Sequence, residues 1–178
     1  VLKETATAVE KKVETVIEPP KETMAAKKII PISYDPAIEL FDKKEYAQAI
    51  PLFEAAQKAD PENETLGTYL FDSHFQLGLI QFKAEQFLTA KTSFESALGY
   101  DVFCEMCPDY IEKCEETYKE KHYNLGIHYF GKELLKEAID EWKLVKKIDP
   151  DYKDLAPNLK KAELLYERLE SIKQGKAE

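Results

Sequence analysis

The chain has 178 residues, of which 44% are hydrophobic and 33% charged, enough for one domain with a real core and a wetted surface. Its formal net charge of −9 argues against nucleic acid as a partner, because a DNA or RNA binder needs a basic face to release counterions. No apolar run approaches the roughly 18 residues of a membrane helix, so insertion of this chain into a bilayer is not expected.

Residues 1–31, VLKETATAVEKKVETVIEPPKETMAAKKIIP, are rich in Thr, Glu, Lys and Ala and hold no aromatic. That composition suits a flexible tether. Within it, Leu2, Ala6, Val9, Val13 and Val16 step by four and three residues until Pro19 and Pro20 end the run. This is an amphipathic stripe of small residues, too weak to hold as a lone helix. It reads either as a spacer from an upstream anchor or as a segment, residues 1–18, that docks into a groove of its own chain or of a neighbouring copy. The sequence opens on Val1 rather than Met, as a mature form or a fragment would, so the lack of a targeting signal in it carries little weight.

The next three segments, 32–60, 61–101 and 102–150, echo one another. AIELFDKKEYAQAIPLFEAAQKADP places Ala37, Tyr46, Ala49, Phe53, Ala56 and Pro61 in one register. LGLIQFKAEQFLTAKTSFESAL follows with Gly78, Phe87, Ala90, Phe94 and Ala97, then Val102 in the proline slot. LGIHYFGKELLKEAIDEWKLVKKIDP supplies Gly126, Leu135, Ala138, Trp142, Val145 and Pro150. The spacings predict two helices and a tight turn per copy. Small residues let the two backbones approach, and the large ring four residues after the Ala fills the space beside them. Pro61 and Pro150 are expected to stop the second helices of their copies.

The third segment opens with all three cysteines, in CEMCPDYIEKC. A Cys-x-x-Cys pair can be a zinc half-site, a redox pair or a haem attachment. Pro108 stands where haem attachment needs a His. A zinc site lacks a nearby fourth ligand, although His122 would come within reach if a helix ran on from Pro108. The redox reading lacks the strand-loop-helix setting that lowers a thiol pKa. The plain reading makes Cys104, Cys107 and Cys114 small, half-buried residues at a helix start, with one local disulfide. In segment 151–178, Leu155, Leu159, Ala162, Leu165, Leu169 and Ile172 form one helical face, expected to cap the preceding apolar flank or, alternatively, to be a dimer seam.

The three copies resemble the tetratricopeptide repeat, whose motif runs W-x2-L-G-x2-Y, then A-x3-F, then P. YNLGIHYF with Ala138, Trp142 and Pro150 matches it best; the tryptophan slot holds Ser33, His74 and His122. Ala49 to Ala90 and Ala90 to Ala138 exceed the 34-residue family period by about two and about four helical turns. The first helices of copies two and three are therefore expected to be elongated, with Pro61 and Pro108 in their first turns. The resemblance implies an all-α fold, a right-handed α-solenoid of about three helix pairs plus a C-terminal capping helix. It also implies a concave side lined by the first helices.

On that side the aligned residues are Tyr34, Ile38 and Phe41, then Phe75, Leu79 and Phe82, then Tyr123, Ile127 and Phe130. Each copy reads aromatic, aliphatic, aromatic. The family's chaperone-binding members use Lys and Asn in such slots to clamp carboxylates, and that clamp is missing here. The expected ligand is an apolar or amphipathic peptide segment, held in an aromatic groove by a scaffold or assembly factor. The alternative is a structural protein that self-associates head to tail through residues 1–18. Phosphate loops, metalloprotease motifs and nucleophile elbows do not occur, so neither catalysis nor a cofactor or metal is expected. His74 and His122 occupy matching slots as packing residues, and His128 is expected at the surface. By analogy with bacterial envelope assembly factors, a cell-envelope or exported location is favoured slightly over a cytoplasmic one.

Overall fold

A computed structural model describes residues 33–175 of the chain. The expectations for residues 1–31, tether or docking stripe, lie outside the described residues. Within them all regular structure is helical: α1 (Asp35–Asp42), α2 (Tyr46–Ala59), α3 (Glu64–Lys83), α4 (Phe87–Tyr100), α5 (Met106–Gly131), α6 (Leu135–Ile148) and α7 (Leu155–Lys173). Each helix packs chiefly on its neighbours in the chain. This is the pattern of rods laid side by side rather than of a bundle closed on itself.

The helices form three hairpins, α1–α2, α3–α4 and α5–α6, and the sequence register explains their closeness. Ala49, Ala90 and Ala138 are wholly buried, as are Phe53 and Phe94, and Trp142 is nearly so. In the second and third hairpins the ring lies against the glycine of the partner helix, and in the first Phe53 shares its core cluster with Ala37. A methyl placed on Gly78 would stand 2.8 Å from the Phe94 ring, and one on Gly126 would stand 2.3 Å from Trp142 Nε1. The Trp142 indole N–H also donates to the Tyr123 carbonyl at 3.2 Å, so the ring is oriented as well as packed.

The three hairpin turns share one backbone shape. Lys44, Glu85 and Glu133 all adopt left-handed φ, at 63°, 59° and 62°. The following amides, of Glu45, Gln86 and Leu134, donate back to Leu40, Gln81 and Tyr129 at 2.8, 2.9 and 3.0 Å. That is the bond pattern of a helix end whose first free residue is left-handed, the position glycine normally takes. A side chain there costs about 1 kcal/mol or more. Glu133→Gly is therefore expected to raise stability by roughly 0.5–1 kcal/mol after the extra entropy of the unfolded glycine is subtracted. A thermal melt that fell instead would mean the Glu133 side chain makes a compensating contact.

Consecutive hairpins are joined by stacked rings. Tyr69 of α3 stacks on Phe53 at 4.8 Å and meets Phe41 edge-on at 5.2 Å. Tyr110 of α5 repeats the first contact on Phe94, again at 4.8 Å. At the third step Lys161 of α7 lies over the Phe130 ring, its Nζ 5.5 Å from the centroid. The long α5 is tied at mid-length as well: Lys119, only 5% exposed, donates to Asp149 at 3.2 Å and pairs with Glu116.

Two details depart from the sequence expectations. Pro61 lies in the turn before α3 and not in its first turn, since α3 begins at Glu64, whereas Pro108 does lie in the first turn of α5. The cap is apolar for longer than its core contact. Leu155, Leu159 and Ala162 are buried, but Leu165, Leu169 and Ile172 are 41, 40 and 56% exposed. The first half of α7 covers the third hairpin, while the second half keeps its apolar stripe open to solvent.

Candidate interaction surface

The nine aligned residues divide by what surrounds them. Phe75 and Tyr123 are each only 8% exposed and belong to the core, which corrects their assignment to an open groove. Phe75 is held edge-on by Phe94 at 5.4 Å and Tyr110 at 5.7 Å. The Tyr123 hydroxyl accepts from Asn158 Nδ2 at 3.2 Å, and its ring meets Tyr152 at 5.6 Å. Both lie inside their hairpins, opposite Phe94 and Trp142, and rings that come after the hairpin partner, Tyr110 and Tyr152, close over them.

Phe41 and Phe82 are half-buried. Phe41 meets Tyr46 at 5.4 Å, and Phe82 meets Phe87 at 5.3 Å, so each closes its own hairpin as well as touching the next. Phe130 is half-buried too, beside Trp142 at 5.7 Å. Tyr34, Ile38 and Leu79 are half-buried at the edges of the core clusters. Ile127 alone of the nine is exposed, at 44%. Of the aliphatic members only Ile127 faces outward; Ile38 and Leu79 pack in part against the core, as most of the rings do.

Phe130 also borders a cavity of about 610 Å³ at the turn end of the third hairpin. Leu135, Leu165, Leu169 and Ile172 supply its apolar surface, and Lys161, Arg168 and Glu133 its charges. Sequence reasoning missed this place because periodicity gives the α7 stripe as a cap or a seam without showing which part of it is covered. It also missed the connection between α4 and α5. There Val102, Phe103 and Met106 are 72, 87 and 57% exposed, the most uncovered apolar cluster in the described chain. A signal was present: Val102 occupies a slot that holds proline in the other two copies.

The cysteines flank that cluster. Cys104 and Cys107 form a disulfide, and the Cys107 amide donates to Cys104 Sγ at 3.1 Å. Both are buried and not half-buried as expected. Cys114 is free and fully buried one helical stretch on. Among the described residues no three His, Cys, Asp or Glu side chains gather as a metal site would require. Burial pushes the Cys114 thiol up to about 11, against the opposing pull of Lys113 and Lys91. Since the thiolate is the reactive form, Cys114 in the native chain is expected to resist iodoacetamide at neutral pH and to label only in denaturant. Prompt labelling of the native chain would show that the α4–α5 seam opens.

The histidines are packing and surface groups. His74 stacks on Tyr100 at 5.6 Å, and burial holds its pKa below the usual value. His122 pairs with Glu141 and lies 4.2 Å from the Tyr118 ring. His128 is exposed. No helix among the described residues is long and apolar enough to cross a membrane. No protein-family model matches the chain, and no curated protein matches it in sequence.

Proposed function

We propose that the three hairpins are tetratricopeptide-type repeats, stacked as a right-handed solenoid with α7 as its terminal helix. In this reading the chain is a non-enzymatic interaction module, a scaffold or assembly factor that takes an apolar or amphipathic segment along Ile38, Leu79 and Ile127. The observation that carries it is the threefold recurrence of one unit. A buried Ala returns at 49, 90 and 138, a buried ring four residues later at 53, 94 and 142, and a left-handed turn residue at Lys44, Glu85 and Glu133. Recurrence puts Ile38, Leu79 and Ile127 at one position of successive first helices. A row of aliphatic side chains at that position offers successive anchors to a single bound segment.

The proposed ligand is peptide rather than small molecule, because the row runs from unit to unit and each anchor is modest. A photo-crosslinker at position 127 of the full chain identifies the bound partner, and calorimetry with the purified partner measures the affinity. Ile127→Lys is expected to weaken binding at least about tenfold, or about 1.4 kcal/mol, with an unchanged melt because the site is exposed. Wild-type affinity in that variant would take the ligand off this row.

A further inference from the structure

Two features of the described chain are unused by the reading above, and they are complementary to each other. The first is the α4–α5 connection, where Phe103 projects with 87% of its surface uncovered beside Val102 and Met106. The Phe103 amide donates to Asp101 Oδ1 at 3.0 Å, and the Cys104–Cys107 bridge clips the residues that follow, so the protruding ring stands on a constrained loop. Asp101 and Glu105 flank it in the chain, and Asp109 lies with Met106 and Lys113 in the first turns of α5. An exposed aromatic of this size with apolar neighbours marks a contact surface. Its acidic surroundings disfavour an anionic membrane as the acceptor.

The second is the cavity of about 610 Å³ between the third hairpin turn and the open half of α7. Its walls are Leu165, Leu169 and Ile172, its floor is Phe130, and its charged rim is Lys161 and Arg168 against Glu133. Arg168 is the only arginine in the chain, and among the described residues neither it nor Lys161 has a carboxylate within ion-pair distance. A guanidinium presents a planar fork suited to carboxylates, and an unmatched one at the edge of an apolar cavity selects an acidic partner.

We infer that the Phe103 loop of one copy enters the Phe130–Leu169 cavity of a second copy, so that the chain associates with itself. The apolar knob fills the apolar walls, and its acidic collar meets Lys161 and Arg168. Knob and cavity lie at opposite ends of the helices. The cavity adjoins the hairpin turn at Gly131–Leu135, while the knob follows the far end of α4. Two copies laid antiparallel would seat both knobs at once and close as a dimer, whereas a single knob-in-cavity contact repeated head to tail propagates into a row unless its rotation closes a ring. The anchor is a single aromatic, so the association is weak and depends on concentration.

Sedimentation of the full, oxidised chain tests this between about 10 μM and about 1 mM, the range in which a contact of this kind is populated. The average mass is expected to rise with concentration. Phe103→Ser and Leu169→Lys are each expected to keep the chain monomeric with an unchanged circular dichroism melt, since both positions are exposed. Arg168→Glu, a second cavity variant, is expected to raise the dissociation constant at least tenfold. Mixing is the decisive arm. The Phe103→Ser chain keeps its cavity and the Leu169→Lys chain keeps its knob, so the mixture forms a one-to-one dimer and stops there. A wild-type chain that stays monomeric through the range overturns the inference. So does a dimer indifferent to all three substitutions, or a mixture of the two variants that fails to associate.

Discussion

Gly126→Ala is expected to destabilise the chain by about 2–3 kcal/mol, although a single methyl is added in the middle of a helix. In an open helical position the same change stabilises by up to about 1 kcal/mol, through lower backbone entropy in the unfolded state. Here the new Cβ would lie 2.3 Å from Trp142 Nε1 and 2.4 Å from its Cδ1, where no ordinary contact exists. Trp142 is 1% exposed and has nowhere to withdraw, and moving it breaks its bond to the Tyr123 carbonyl. Overpacking of this kind costs about 1–3 kcal/mol, and the lost hydrogen bond adds about 1. For a chain of this size the melting temperature should fall by roughly 5–10 °C. Gly99→Ala supplies the control: nothing lies within 4 Å of a methyl there, so that variant should melt at or above the wild-type temperature. Equal melts for the two variants would mean that α5 and α6 do not approach as closely as described.

Phe94→Ala is the second large effect, with an expected loss of about 3–5 kcal/mol. The ring is wholly buried and serves two interfaces at once. It fills the space over Gly78 inside its own hairpin, and it carries Tyr110 of the next hairpin in a stack at 4.8 Å. Phe75 closes the third side at 5.4 Å. With rings on several sides already fixed by packing, the cavity left by truncation cannot collapse fully. Urea titration should show a lower midpoint with little change in slope, the sign of lost stability rather than a different unfolded state. Phe103→Ala makes the contrast. Its ring is 87% exposed, and its removal should change stability by no more than about 0.5 kcal/mol.

These two predictions come from positions that the sequence alignment already singled out, and that is no accident. The Ala, Gly and ring slots recur because close helix packing constrains residue size, and size is written directly in the amino-acid code. Ala49, Ala90 and Ala138 occur in equivalent buried settings for this reason. The hairpin turns were harder to place. Their left-handed residues are Lys44, Glu85 and Glu133, none of them the glycine or asparagine that would have flagged the turn. Proline was an uneven guide as well: Pro51 sits inside α2 on its exposed side without ending it, while Pro61 precedes α3 by a turn.

The candidate surface was legible only in part. Alignment grouped nine residues on one face but had no means of telling which neighbours would cover them. Phe75 and Tyr123 are buried because Tyr110 and Tyr152, from elements distant in the alignment, arrive on top of them. Ile127 stays open, at 44% exposed. The α7 stripe reads from the sequence as a cap or a dimer seam, and only the structure divides it: Leu155, Leu159 and Ala162 are covered, while Leu165, Leu169 and Ile172 remain uncovered.

By itself, then, the sequence determined that the chain is helical, where the paired helices come closest, and which rings fill those approaches. Periodicity and side-chain volume are local properties, and they act the same way in every copy. Tertiary structure alone decided which apolar residues are left over: Phe103 on its clipped loop, Leu169 beside a cavity, Ile127 on α5. Exposure is what remains after every neighbour has been placed, and the neighbours come from elsewhere in the chain.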